Sequence, residues 1–199
     1  MDHVEAHAIK LLSMLNEFRA IQRYTDVTIE FENKSFVCHR VALSATCEYF
    51  DTLFSSRFKD STSESIAGLK DIMSAATFQE ILRFMYEGNA EITSENVYDL
   101  LMAIEFLRFR RASMEDLCVK FIEENRSTLW VVNKFKIFKF ALNTGRQFLS
   151  NMLLSDLAKE LGQFIKTSDF LEVSRDDLIS MVNHRCTLLN EDSLLTAII

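Results

Sequence analysis

The sequence predicts an α+β fold that is mostly helical, and three observations lead to this prediction. The 199 residues contain no proline and only four glycines, whereas average usage would give about ten prolines. Helix interiors tolerate neither residue, and β-sandwiches or propellers would need many more of both. Hydrophobic residues make up 48% of the chain and include seventeen phenylalanines, enough to build a core. Only one stretch, near the start of the chain, alternates apolar and polar residues as β-strands do.

The first elements are a helix and a β-hairpin. The helix is predicted over residues 4–18, because its apolar residues recur at intervals of four and three and form one stripe. That stripe consists of Val4, Ala8, Leu11, Leu15 and Phe18. A half-buried strand follows, in which Val27, Ile29 and Phe31 alternate with polar residues. Asn33 and Lys34 then turn the chain into a second strand over residues 35–38.

The period becomes helical after His39. Two short helices are predicted over residues 41–45 and 49–54, followed by the polar loop SSRFKDSTSES and a short strand over residues 66–69. Amphipathic helices are then predicted over residues 77–86, 95–107 and 114–124. Each begins after a serine that can cap it, namely Ser74, Ser94 and Ser113, the last with Asp116 as its capping-box partner.

The second half of the chain is predicted to be entirely helical. Asn133 can cap a helix that ends near residue 143, where Gly145 suits a left-handed C-terminal position. Further helices are predicted over residues 147–165, in two pieces, and over 174–182, with Ser174 and Asp177 as a capping box. A last helix begins at Asn190 and carries no C-terminal signal, so we expect a fragment of a longer protein.

The charge distribution disfavours two classes of partner. The net charge is −7, and residues 1–100 contain 16 acidic and 9 basic side chains, so a nucleic-acid partner is not expected. We interpret the arginines at 108, 110 and 111 as a solvated surface. No apolar run approaches the roughly 20 residues of a membrane span, and the N-terminus is not a secretory signal. Four scattered cysteines indicate a reducing compartment, so we expect a cytoplasmic protein, with the nucleus possible.

Motifs of enzyme chemistry are not found in the sequence. The glycines at 68, 88, 145 and 162 are too far apart for a phosphate-binding loop, and no HExxH or GxSxG pattern occurs. Cys38, His39 and Cys47 could be imagined as metal ligands, but buried cysteines that pack as small hydrophobes are the favoured interpretation. We therefore expect neither an enzyme nor a cofactor.

Several spaced motifs resemble the BTB/POZ domain. They are Thr25-Asp26-Val27, the run FVCHRVALS from Phe36, the run EYFDTLF from Glu48, the run FQEILRFMYEG from Phe78, and residues 92–107. The resemblance implies a BTB/POZ domain over residues 1–125, a small β-sheet with a helical cluster. Residues 126–199 resemble the 3-box and the N-terminal part of a BACK domain, an all-α array of helical hairpins. That second resemblance is carried by Asn133-Lys134-Phe135, Phe140-Ala141, Phe170-Leu171, and Leu188-Leu189 to Ile199.

This domain order is similar to that of the Kelch-like proteins, the substrate adaptors of cullin-3 ubiquitin ligases. The resemblance implies a non-catalytic homodimer that binds cullin-3 and presents an unknown substrate through a Kelch-type domain beyond residue 199. The implied dimer interface consists of Val4, Ala8, Leu11, Leu15, Phe18, Asp26, His39 and Arg40. The implied cullin-binding surface consists of Phe54, Phe58, Lys59, Asp60, Asn133, Phe135 and Phe138. Two positions depart from the family pattern: Cys47-Glu48 replaces Ser-Pro, and Asp60 replaces glutamate.

Several alternatives remain open from the residues alone. The N-terminal helix could fold back on its own domain. Asp26, His39 and Arg40 could form an intradomain network, in which a buried Asp26 would need Arg40 as its partner. Phe58 could pack on Phe54 instead of binding a partner. Four apolar residues (Phe135, Ile137, Phe138 and Phe140) cannot all face one core, so one or two are expected to line a groove. A BTB transcriptional regulator that recruits a corepressor, or a structural BTB oligomer, remains an alternative function.

Overall fold

The computed structural model describes residues 3–55, 63–110 and 113–187. The chain divides into two compact units, Met1–Cys118 and Val119–Ile199. The division falls within one helix, Ser113–Glu124. In the described ranges, no helix is both long enough and apolar enough to cross a membrane.

The first unit combines a small sheet with helices, as the sequence predicts. Its elements in chain order are α1 (His3–Ala20), β1 (Val27–Phe31), β2 (Lys34–Cys38), α2 (Arg40–Thr46), α3 (Glu48–Phe54), β3 (Ser65–Ile66), α4 (Ala75–Glu87), α5 (Val97–Leu107) and the start of α6 (Ser113–Glu124).

The sheet of the described residues has the strand order β2-β1-β3. β1 and β2 form the expected antiparallel hairpin, in which Val27 pairs with Cys38, and β3 pairs with β1 in parallel. β3 ends at Ile66, and a 3-10 turn over Gly68–Asp71 follows, so the predicted strand over residues 66–69 is wrong in extent. Ile66 and Leu69 are both buried, and a spacing of three residues on one side is typical of a turn rather than a strand.

The core of the first unit joins the hairpin to the helices through aromatic rings. The ring of Phe78 on α4 lies 5.3 Å from that of Phe36 on β2 and 6.4 Å from that of Phe50 on α3. Phe50 and Phe78 are completely buried. This cluster places α3 and α4 against one face of the sheet, and it depends on burial of large apolar area rather than on polar contacts.

Helix starts in the first unit are determined by local side-chain bonds. The Oγ of Ser74 accepts a hydrogen bond from the amide of Thr77 at 3.0 Å, so the predicted cap of α4 is confirmed. The predicted cap Ser94 is wrong, because Thr93 and Asn96 instead exchange bonds of 2.8 and 3.3 Å and α5 begins after them. The side chain of Ser113 lies outside the described residues.

The second unit is helical throughout its described part. It contains the end of α6, α7 (Val131–Asn143), α8 (Gln147–Phe164), a 3-10 turn over Ser168–Glu172, and α9 (Arg175–Val182). α7 packs on α8, and α8 packs on α9. The expected cap by Ser174 is confirmed, since its Oγ accepts from the amide of Asp177 at 3.2 Å, and Gly145 has the expected positive φ of 73°.

Two predictions for the second unit are wrong. α7 begins two residues before Asn133, with Trp130 as its N-cap. α8 is continuous rather than two pieces, because one buried line of leucines at intervals of four runs along its whole length: Leu149, Leu153, Leu157 and Leu161. The last helix, predicted from Asn190, lies outside the described residues.

Candidate protein-interaction surfaces

The N-terminal helix is held on its own domain by its last turns. α1 packs against α4, where the Nδ2 of Asn16 donates to the Oε1 of Glu87 at 2.9 Å. The guanidinium of Arg19 lies 5.0 Å from the ring centroid of Tyr86. Leu15 and Phe18, at the end of the predicted stripe, are half-buried. This part of α1 therefore folds back on its own domain, which was one of the alternatives from sequence.

The rest of α1 exposes apolar side chains that the described part of the chain does not cover. Leu11 is 53% exposed and Ala8 is exposed, while the side chain of Val4 lies outside the described residues. Exposed apolar residues also occur outside the predicted stripe, on several sides of the helix, and we call this exposed apolar surface the α1 face: Ile9, Leu11, Leu12 and Met14. Adjacent large apolar side chains in contact with solvent are typical of an interaction surface.

His39 forms an intradomain network at the start of α2. It is only 4% exposed, and its Nδ1 lies 3.0 Å from the Oη of Tyr86, while its Nε2 lies 3.1 Å from the carbonyl oxygen of Arg23. Burial raises the pKa of Tyr86 to about 12, so its hydroxyl keeps the proton near neutral pH. Both ring nitrogens thus link α2 to α4 and to the segment after α1; a role of His39 in a dimer stays a prediction.

Asp26 and Arg40 are in contact, but Asp26 is exposed rather than buried. Its Oδ1 accepts from the backbone amide of Arg40 at 2.7 Å, and its carbonyl oxygen accepts from the Nε of Arg40 at 3.2 Å. The same guanidinium donates to the carbonyl oxygen of Ser63 and lies 4.6 Å from the ring centroid of Phe54. The geometry therefore connects Arg40 to the beginning of β1 and to the end of α3.

A groove opens between α3 and α5. The rings of Tyr49 and Phe106 lie 5.0 Å apart beside it, and Phe106 is 37% exposed. The groove contains a cavity of about 310 Å³, which is lined by Glu48, Tyr49, Thr52, Leu53, Phe106 and Arg108. We call this site the α3–α5 groove. Apolar walls with a few polar groups at the rim are typical of a protein-binding cleft.

A second cavity lies further along the outer side of α5. Met102 is 46% exposed and, with half-buried Tyr98, lines this cavity of about 490 Å³, which also contacts Ile72. Sequence reasoning identified only the buried face of α5. A signal for the outer face was present, because Tyr98, Met102 and Phe106 recur at intervals of four and form a second apolar line.

Backbone contacts hold α3 and α5 in place around the groove. Arg108 ends α5 with a positive φ of 51°, and its carbonyl oxygen accepts from the amide of Glu48 at 3.0 Å. The guanidinium of Arg110 pairs with Asp51 and also donates from Nε to the carbonyl oxygen of Ser44 at 3.2 Å. Arg110, which we interpreted as solvated surface, thus also connects α3 to the segment after α5.

The predicted cullin-binding residues that the structure describes belong to both units: Phe54 to the first, and Asn133, Phe135 and Phe138 to the second. Phe58, Lys59 and Asp60 lie outside the described residues. Phe54 is half-buried and stacks on Phe50 with ring centroids 5.8 Å apart. Asn133, in α7 of the second unit, is half-buried.

The aromatic residues of α7 are buried within the second unit. Phe135 and Phe138 are 6% and 2% exposed, and Ile137 and Phe140 are buried as well. The expectation that one or two of the four line an open groove is therefore wrong. The ring of Phe135 packs on Phe164 of α8 at 5.0 Å, and Phe140 lies under the guanidinium of Arg146 at 4.8 Å. α7 is covered on more than one side, which periodicity alone could not indicate.

The second unit has an exposed apolar surface of its own. Phe148 on α8 is 69% exposed and borders a cavity of about 430 Å³, together with Met152, Asn151, Glu123 and Arg126. The guanidinium of Arg126 donates to both carboxylate oxygens of Asp156 at 2.8 and 2.6 Å. This bidentate pair raises the pKa of Arg126 and fixes one wall of the cavity.

The buried cysteines behave as small hydrophobic residues, as expected. All four are free. Burial raises the pKa of Cys38 and of Cys118 to about 12, and it also raises the pKa of Cys47, so these thiols stay protonated near neutral pH. In the described part of the chain, no group of three or more His, Cys, Asp or Glu side chains could hold a metal ion.

Comparison with known proteins agrees with this architecture. Residues 15–126 match the family model of the BTB/POZ domain. The BTB domain of zebrafish PATZ1 superposes with a TM-score of 0.50 at 27% sequence identity, and the match covers 62% of this chain and 98% of that one.

Relatives at the sequence level extend past the first unit. Human Kelch-like protein 24 is 31% identical over 177 residues, and zebrafish Kelch-like protein 21 is 30% identical over 178 residues; each match covers 89% of this chain. Kelch repeat and BTB domain-containing protein 8 of Xenopus tropicalis is 28% identical over 180 residues. The chain spans about 28% of the length of these curated relatives. On these matches, the chain belongs to the BTB/POZ domain family, with Kelch-like proteins among its relatives.

Proposed function

We propose that this chain is the dimer-forming and partner-binding part of a substrate adaptor for a cullin-3 ubiquitin ligase. Kelch-like relatives support the class, and the α3–α5 groove is the observation that carries the binding role. The chain acts as a non-catalytic module in this proposal, and a domain outside these 199 residues presents the substrate.

Self-association uses the α1 face. A two-fold contact places the same apolar patch of both copies against each other, with an apolar centre and a polar rim. The described part of α1 supports such a contact, because Ile9, Leu11, Leu12 and Met14 are exposed in its first turns while its last turns pack on α4. The exposed turns can therefore meet a second copy while the contacts of the last turns with α4 are kept.

Sedimentation equilibrium tests the dimer. The wild-type chain is expected to sediment at twice its mass of 23.1 kDa, and Leu11→Asp is expected to sediment as a monomer because a carboxylate would be buried at the contact. Ile179→Asp, a matched change at an exposed isoleucine of α9, should remain dimeric. A monomeric wild-type chain at micromolar concentration would contradict the proposal.

Cullin-3 binding uses the α3–α5 groove and the outer side of α5. Truncation of a central interface aromatic typically costs about 2 kcal/mol or more, which is roughly thirtyfold in affinity. Phe106→Ala is expected to weaken binding of purified cullin-3 by about that factor in a calorimetric titration. Tyr24→Ala is the control, because Tyr24 is 68% exposed and lies outside the groove. Equal affinity of Phe106→Ala and wild type would exclude the groove as the site.

A further inference from the structure

Arg40 joins three parts of the first unit that are distant in sequence. Its backbone amide and its Nε both donate to Asp26, just before β1. Its guanidinium also donates to the carbonyl oxygen of Ser63, just before β3, and lies over the ring of Phe54 at the end of α3. These contacts use the backbone amide and different parts of the side chain of one residue, so the three segments are fixed relative to one another.

The contact with Phe54 bears directly on the α3–α5 groove. Phe54 is the last residue of α3, and its neighbour Leu53 lines the cavity of the groove. The ring of Phe54 is held between the guanidinium of Arg40 and the completely buried Phe50. A displacement of Phe54 would therefore displace Leu53 in the wall of the groove.

The other side of Arg40 is anchored to the sheet. The segment that carries the Ser63 carbonyl is tied to β1, because the amide of Thr28 donates to the carbonyl oxygen of Glu64 at 2.9 Å. The hydroxyl of Ser63 donates to the carbonyl oxygen of Ser65 at 2.9 Å. Arg40 thus connects the end of α3 to a segment that is hydrogen-bonded to the sheet.

We propose that Arg40 is a positioning residue for the α3–α5 groove: it holds the last turn of α3 against the sheet and so fixes the wall formed by Leu53. This inference rests on the proposed function, and it differs from the dimer-interface role implied by the sequence resemblance. A planar guanidinium can donate to two carbonyls while its face contacts a ring, whereas an ammonium presents one compact charge. Arginine therefore suits the proposed role better than lysine.

The test measures two quantities separately: hydrogen exchange in α3, which reports on the groove, and the affinity for cullin-3. Backbone hydrogen exchange reports on the last turn of α3, where the amide of Ser55 donates to the carbonyl oxygen of Thr52. Arg40→Met is expected to raise exchange there about tenfold and to weaken cullin-3 binding by about the same factor, roughly 1.4 kcal/mol. Arg40→Lys should give a smaller change of the same sign. The dimer measured by sedimentation should be unchanged.

Lys34→Met provides a matched control. Lys34 lies 5.1 Å from the ring centroid of Phe36 and also donates to Gln79, so it makes a similar cation–ring contact away from the groove. Lys34→Met should change neither hydrogen exchange in α3 nor the affinity for cullin-3. Phe54→Leu should raise exchange in the last turn of α3 as Arg40→Met does, and the effects of the two changes should be less than additive in the double variant, because both remove the same contact between guanidinium and ring.

The outcomes distinguish this inference from the proposed function. Unchanged exchange in the last turn of α3 in Arg40→Met would overturn the positioning role, whether or not cullin-3 binds. Dissociation of the dimer by Arg40→Met, with α3 unaffected, would overturn it in favour of a dimer contact. Faster exchange in α3 together with a wild-type chain that does not bind cullin-3 would support the positioning role while the cullin proposal fails.

Discussion

The ion pair between Lys134 and Glu160 leads to a sharp prediction on stability. Lys134 is 1% exposed, and its Nζ lies 2.6 Å from the Oε1 of Glu160, whose side chain is 29% exposed. Glu160→Gln preserves the shape but leaves the ammonium buried without an opposite charge. Removal of one partner from a buried pair costs about 3–5 kcal/mol. Since glutamine still accepts one hydrogen bond and water reaches this partner, we expect the lower end, about 3 kcal/mol.

Three further variants determine whether charge burial is the cause. Lys134→Met together with Glu160→Gln removes both charges, and it should be destabilised by no more than about 1 kcal/mol, because an apolar replacement of a buried pair is often neutral. Lys134→Met alone should lie between the two. Asp169→Asn breaks a more exposed pair of 4.0 Å with Lys136 and should cost less than about 1 kcal/mol.

Urea unfolding followed by circular dichroism of the helices is the appropriate assay. The single tryptophan, Trp130, is already 74% exposed in the fold, so its fluorescence would change little on unfolding. The midpoints convert to free energies of unfolding through the slope with urea concentration. Equal losses for Glu160→Gln and Asp169→Asn, or a double variant less stable than Glu160→Gln, would refute the reasoning.

Three other predictions follow from the sequence and the structure. Ser74→Ala removes the cap of α4 and should lower the free energy of unfolding by about 1 kcal/mol in a denaturant titration. Ser74→Thr should keep most of the stabilisation by the cap, because threonine can accept the same hydrogen bond. The pKa of Cys38 is about 12 in the fold and near 9 ordinarily, so the unfolded chain loses this proton first. The contribution of Cys38 to the free energy of unfolding should therefore be fully present below pH 9 and should fall by about 2 kcal/mol or more as the pH rises towards 12. Thermal melts of Cys38→Ala should show a flatter dependence on pH over that range. Phe58→Ala should weaken cullin-3 binding about thirtyfold without change in the dimer or the melting temperature, while Asp60→Glu should maintain or improve affinity in calorimetry; an unaltered affinity of Phe58→Ala would remove that residue from the proposed site.

Much of the fold could be derived from the sequence because it depends on local periodicity and local bonds. The stripe of α1, the alternation of Val27, Ile29 and Phe31, and the cap at Ser74 each depend on residues within a few positions of one another. Helix starts were wrong where two caps competed, as at Ser94 against Thr93 and Asn96. The BTB resemblance was readable for the same reason, since its motifs are spaced runs of sequence.

The candidate surfaces were decided by tertiary structure. Periodicity identifies an apolar line on a helix but not how many sides of that helix are covered. α5 has two apolar lines, and only packing shows that the line of Met102 and Phe106 stays open; α7 has several, and packing buries Phe135 and Phe138. The contacts of Arg40 with Ser63 and Phe54 join residues that are 23 and 14 positions away. Side chains on different elements meet only when the chain folds. Which side chains become buried depends on the arrangement of all elements and not on the spacing of residues within one element.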